Sequence, residues 1–206
     1  MRHAGWIAAG LSALAVVLSG CGGTPSPSVL SGRACLARLD RQEVDYHPVD
    51  PVPAADSRCQ VDTAVRVSRV EARLNNPVTM SCALASRLDD FEREVVQPLA
   101  REELGSRVVR LNHLGSFSCR GRNGGTSRLS EHALGRAIDI AGFRLSDGST
   151  VSVEHDWAEP GPKRLFLRHL ARRACQYFSV VLTPDSDGYH YNHLHFDIGP
   201  DRLCSV

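Results

Sequence analysis

From Asn192 to Ile198 the sequence reads NHLHFDI, and this alternation constrains the fold more than any other stretch of the chain. Leu194, Phe196 and Ile198 occupy one parity; His193, His195 and Asp197 occupy the other. A β-strand sends alternate side chains to opposite faces, so the segment requires a sheet with one apolar face and one face bearing two imidazoles and a carboxylate. RAIDIAG, from Arg136 to Gly142, makes the same demand. Its Ile138 and Ile140 supply the core, while Ala137, Asp139 and Ala141 face the other way. Small alanines around a carboxylate leave space beside it, which suits the floor of a site better than a packed interior.

His132 precedes Asp139 by seven residues in SEHALGRAID. On a straight helix the pair would be about 10 Å apart along the axis, too far to share a metal with bonds of about 2 Å. Gly135 between them permits a turn, and a turn followed by a strand folds His132 back over Asp139. If the strand around Leu194 lies beside that of Asp139, then His132, Asp139 and one of the two later histidines converge. Two nitrogens, one oxygen and an open fourth position form the donor set of a catalytic zinc site. The remaining histidine, one pleat along, is placed for proton transfer or for donation to a developing oxyanion.

The rest of the chain supplies the setting. Arg2 and His3 precede an apolar run, Ile7 to Leu18, that ends in Leu18-Ser19-Gly20-Cys21. This is the layout of a secretory signal, too short to span a bilayer, which takes roughly 20 residues. Small residues crowd Cys21, so residues 1–20 read as a lipoprotein signal peptide and Cys21 as the lipidated first residue of the mature chain. Residues 21–34 then form the lipidated cysteine and a Gly/Pro/Ser tether, and residues 35–206 form one domain of about 170 residues, enough for a real core. The expected location is the cell envelope, membrane-anchored at its periplasmic or extracellular face.

Six cysteines remain: Cys35, Cys59, Cys82, Cys119, Cys175 and Cys204. An even number in an exported chain reads as three disulfides. Sequence does not choose among the possible pairings; local pairing would join Cys35 to Cys59, Cys82 to Cys119 and Cys175 to Cys204. Without residues 1–20, 23 basic side chains face 23 acidic ones. A neutral chain with no basic run excludes the usual nucleic-acid binder, and a monomer is expected.

The fold class expected is α+β, an antiparallel sheet with flanking helices. Residues 35–60, polar and proline-spotted, read as an irregular arm. TAVRVSRV (Thr63 to Val70) and RVVRLN (Arg107 to Asn112) read as strands. Leu84, Leu88, Phe91 and Val95 form one face of a helix that Pro98 should kink or end. Asp147-Gly148 marks a hairpin turn, and Leu167, Leu170 and Ala174 mark a second helix, followed by a strand in FSVVLTP.

The same residues carry a resemblance. SEHALGRAID resembles the SxHxxGxAxD motif, and HLHFD the HxH motif, of the zinc peptidases grouped as lysostaphin, D-Ala-D-Ala peptidases and hedgehog. More closely, CALASRLDDFEREVVQPLA, GSFSCR, FLRHLARRAC and HYNHLHFD, with the two motifs, resemble the bacterial extensin-like C-terminal domain family over roughly residues 35–204. The resemblance to the zinc group implies its fold, Zn²⁺ as cofactor, and His132, Asp139 and His195 as the metal ligands. It implies His193 as the catalytic histidine and Arg120 as the arginine that holds a substrate carboxylate or the oxyanion. Members with a glutamate base keep it three residues before the last histidine; Asn192 stands there, so the chain fits the HxH branch.

The activity implied is metal-assisted amide hydrolysis, and for an exported, tethered enzyme the natural partner is peptidoglycan. The alternative is a zinc-containing envelope-binding module without turnover, which has no need of His193. Around the ligands, Asp197 is a candidate hydrogen-bond partner for a histidine and Ser130 for the turn near the metal. Parity places His190 away from the site. Trp157 and His155 are candidates for core or groove, and His113 is expected to be structural.

Overall fold

The computed structural model describes Met1 and residues 32–206, apart from Pro51, Pro53, Ala55, Asn123, Gly124, Thr126 and Ser127. The signal segment, Cys21 and most of the tether therefore lie outside the described residues. Among those described, no helix is long and apolar enough to cross a membrane.

In chain order the elements are α1 (Gly32–Arg41), β1 (Asp45–Pro48), β2 (Ala64–Arg69), β3 (Arg73–Ser81), α2 (Cys82–Phe91), a π-helical turn (Glu92–Val96) and α3 (Gln97–Leu104). There follow β4 (Val108–Gly115), a 3₁₀ turn (Glu131–Leu134), β5 (Ala137–Leu145), β6 (Thr150–Ser152), α4 (Val153–Asp156) and α5 (Pro162–Ala174). The chain closes with β7 (Val180–Leu182), a second 3₁₀ turn (Gly188–His190), β8 (Leu194–Asp197) and β9 (Leu203–Cys204). The strands form one sheet in the order β1-β2-β3-β4-β5-β8-β7-β9, with β6 paired to β5.

The class is α+β, but the sheet is mixed, not wholly antiparallel: β3 runs parallel to β4, and β7 to β9. Parallel neighbours need a long crossover, and the α2–π–α3 helix provides the first. That helix passes straight through Pro98. Proline lacks an N–H and its ring would strike the carbonyl four residues back. The helix accommodates it by widening just before it, so that the Gln97 N–H bonds to the Glu92 carbonyl five residues earlier.

The arm expected to be irregular is structured in its first part, as far as Pro48. Cys35 and Leu39 bury one face of α1, and β1 extends the sheet along β2. The helices cover one face of the sheet, onto which Ile138, Ile140, Leu194 and Phe196 project with Leu84, Leu88 and Leu170. Phe178 stacks on Phe196 with centroids 4.8 Å apart, and Phe91 meets both rings edge-on. Packing of this kind fixes β8, and so fixes what its other face presents.

Of the locally paired disulfides, only Cys175–Cys204 is found. The other two are Cys35–Cys82 and Cys59–Cys119. The first staples α1 to the start of α2. The second ties the segment after β4 to the loop before β2.

Candidate metal centre

β5 and β8 pair antiparallel with Asp139 directly opposite His195 and Ile138 opposite Phe196. The isoleucine and phenylalanine enter the core, so the carboxylate and imidazole share the other face. His132 arrives from the 3₁₀ turn. Ser130 caps that turn, its Oγ accepting the His132 N–H at 3.3 Å, and Gly135 ends it in the left-handed region at φ 61°. The turn is what brings His132 over Asp139, as the spacing requires.

His132 Nε2 lies 3.2 Å from Asp139 Oδ2 and 3.3 Å from His195 Nδ1, and His195 Nδ1 lies 2.9 Å from Asp139 Oδ1. One donor atom from each of the three residues lies within 4.8 Å of the others. A tetrahedral metal with bonds of about 2 Å holds its ligands about 3.3 Å apart, the spacing seen here. The outer nitrogens are also committed. His132 Nδ1–H donates to the Ser116 carbonyl at 2.6 Å, and His195 Nε2–H donates to Asp197 Oδ2 at 3.2 Å. Those bonds suit the tautomers in which His132 Nε2 and His195 Nδ1 would turn lone pairs toward a bound metal; without one, these nitrogens hydrogen-bond to Asp139. Asp197 is itself held by the Gly199 N–H at 2.9 Å.

The three residues together could hold a metal ion. The groups of the cluster also shift one another's titration. Burial alone would lower the His195 pKa, but Asp139 and Asp197 outweigh it and raise it to about 9. Burial would likewise raise Asp139, but hydrogen bonds and charge from His132 and His195 hold its carboxyl well below the usual carboxylate range. The donor set fits a divalent metal.

His193 sits just before β8. Its Nδ1–H donates to Asn192 Oδ1 at 2.8 Å, and its Nε2 lies 3.6 Å from Asp139 Oδ1. Asn192 thus sets the tautomer that leaves Nε2 open beside the cluster. Burial lowers the His193 pKa and favours the neutral ring. Ser130 acts on the turn and not on a ligand ring. Arg120 is exposed; its carbonyl accepts the Ser130 N–H at 3.1 Å, which places it alongside the turn that carries His132.

His190 does not face away. Its ring lies 5.0 Å from that of His193 and 5.8 Å from that of His195, and its Nδ1 bonds to Asp187 Oδ1 at 2.7 Å. Parity holds only within a strand, and residues 188–190 form a 3₁₀ turn. Trp157 is buried, its Nε1–H bonded to Asp185 and the Arg168 guanidinium 4.0 Å over its ring; His155 is exposed. His113 is largely buried, with Nε2 against the Asn76 carbonyl at 2.8 Å, as a structural residue would be.

No curated protein matches the chain. No solved structure matches it either. A family model described as extensin-like protein C-terminus matches residues 33–205, which include the whole cluster and all three disulfides, and the chain belongs to that family.

Proposed function

We propose that the protein is a zinc-dependent peptidase that hydrolyses amide bonds of peptidoglycan, with His132, Asp139 and His195 as ligands and the fold of the zinc-peptidase group it resembles. The convergence of three inward-aimed donors at tetrahedral spacing carries this reading. Zinc bound there would supply a Lewis acid for a scissile carbonyl and make a water acidic near neutral pH. The chain's own residues do the rest. Asp197 and the Ser116 carbonyl keep the ligand rings in register. His193, neutral and open at Nε2, takes a proton from the attacking water and returns it to the leaving amine. Arg120, beside the His132 turn and exposed, meets a substrate carboxylate. The three disulfides suit an oxidising compartment outside the cytoplasm, and with the lipid-anchor reading of Cys21 they support an envelope substrate.

The test is release of peptide fragments from purified peptidoglycan by the zinc-loaded protein, beside His193→Ala. Loss of about 10²-fold or more in rate with zinc retained supports the peptidase. Zinc binding with no release by the wild-type protein would instead leave an envelope-binding module.

A further inference from the structure

Four arginines lie abreast on four neighbouring strands. Arg69 on β2 is paired in register with Arg73 on β3, Arg73 with Arg110 on β4, and Arg110 with Arg144 on β5. With strands about 4.8 Å apart, the row is about 14 Å long. Like charges directly opposite each other destabilise a sheet, and the protein does little to neutralise them. The row and Arg107 line a concavity of about 550 Å³ with Glu71 as its one acid among the described residues. Glu71 is already engaged by Arg93 at 2.9 Å and Arg107 at 3.2 Å. Arg69 donates to the Glu43 carbonyl; Arg73, Arg110 and Arg144 are exposed and make no ion pair among the described residues.

The row shares a sheet face with the metal centre. Asn112 pairs with Gly142 but His113 with Ile140, so Ala141 is an extra residue in β5. It shifts the parity: the core-facing residues are Ile138, Ile140, Phe143 and Leu145. Asp139 and Arg144 therefore both stand on the face opposite the helices, roughly 16 Å apart along the strand.

We infer that this arginine row is a second binding site, for carboxylates of an acidic peptide polymer. The guanidinium fork matches carboxylates in bidentate fashion, and a row running across the strands holds several of them at once. Naming these as stem-peptide carboxylates of peptidoglycan rests on the proposed function; the site itself does not.

Fluorescent poly-L-glutamate titrated into the full-length protein tests it. The triple variant R73Q/R110Q/R144Q is expected to bind about tenfold or more weakly than wild type, with an unchanged or higher Tm because repulsion is relieved. R101Q/R172Q/R173Q, which removes equal charge from exposed helical positions, and His193→Ala are expected to bind within about twofold of wild type. Equal losses in both triple variants, no binding by wild type, or binding of polyphosphate but not poly-L-glutamate would each overturn the inference. Row-dependent binding with peptidoglycan left uncut would sink the peptidase reading alone, and cutting without row-dependent binding would sink the row alone.

Discussion

His132 Nε2 and His195 Nδ1 face each other at 3.3 Å, and each ring has already given its N–H to an oxygen on its far side. With His195 neutral, two lone pairs meet at that distance; a metal ion between them and Asp139, or a proton on His195 Nδ1 donated to Asp139, relieves the repulsion. A buried polar group left without a partner is costly, and the His132, Asp139 and His195 group could hold a metal ion in that place.

Metal affinity should therefore depend on residues that never touch the metal. The purified protein is expected to bind about one zinc per chain, lost in His195→Ala and Asp139→Ala. Asp197→Asn keeps the ligand set but weakens the acceptor for His195 Nε2–H, and should lower affinity by about 10–100-fold in a chelator competition. An Asp197→Asn protein that competes like wild type would remove the orienting role.

The Cys59–Cys119 bond closes a 60-residue separation and anchors the segment whose Ser116 carbonyl orients His132. Chain entropy alone assigns such a bond about 4 kcal/mol. C59A/C119A should lose stability of that order in urea melts and also bind zinc more weakly than wild type. Unchanged zinc affinity in a folded double variant would show that the loop keeps its place without the bond.

What could be read beforehand, and what could not, follows from the range of each signal. The period of two in LHFD and AIDI is local, and Gly135 announces its own turn, so sequence brings together His132, Asp139 and one of His193 and His195, and only the resemblance singles out His195. Disulfide partners are chosen by tertiary approach: Cys35 meets Cys82 because α1 lies on α2, a fact no spacing contains. His190 was misplaced because β8 begins at Leu194, leaving the parity count nothing to run on. α1 was hidden by its own shortness and by the prolines after it. The extra residue at Ala141 is equally silent in sequence, yet it decides that Arg144 and Asp139 share a face.

Gly135 should tolerate no side chain. Its φ of 61° disfavours L-residues, and a Cβ there would lie 2.7 Å from Val61 Cγ1 and 3.0 Å from the Ser81 nitrogen. That nitrogen also donates to the Gly135 carbonyl at 2.8 Å, so the backbone has no room to retreat. Gly135→Ala is expected to cost about 1–3 kcal/mol in equilibrium unfolding and to weaken zinc binding by displacing His132. A variant as stable as wild type would mean that the turn can re-form.

A last expectation concerns acidity in the core. Glu92 is fully buried, its carboxylate accepting the Ala72 N–H at 2.9 and 3.0 Å and Gln97 Nε2–H at 3.1 Å. Burial outweighs those bonds and raises its pKa from 4.5 to about 7. Between those values the folded protein holds a proton that the unfolded chain has released. Stability from this group is therefore complete below the unfolded value, falls as pH rises through the window, and is gone above about pH 7. The swing is ~3 kcal/mol. Glu92→Gln cannot ionise, so its stability relative to wild type should improve by about that amount from pH 4.5 to pH 8. Urea melts across the range decide the matter: parallel pH profiles for the two proteins would mean that Glu92 stays ionised in the core.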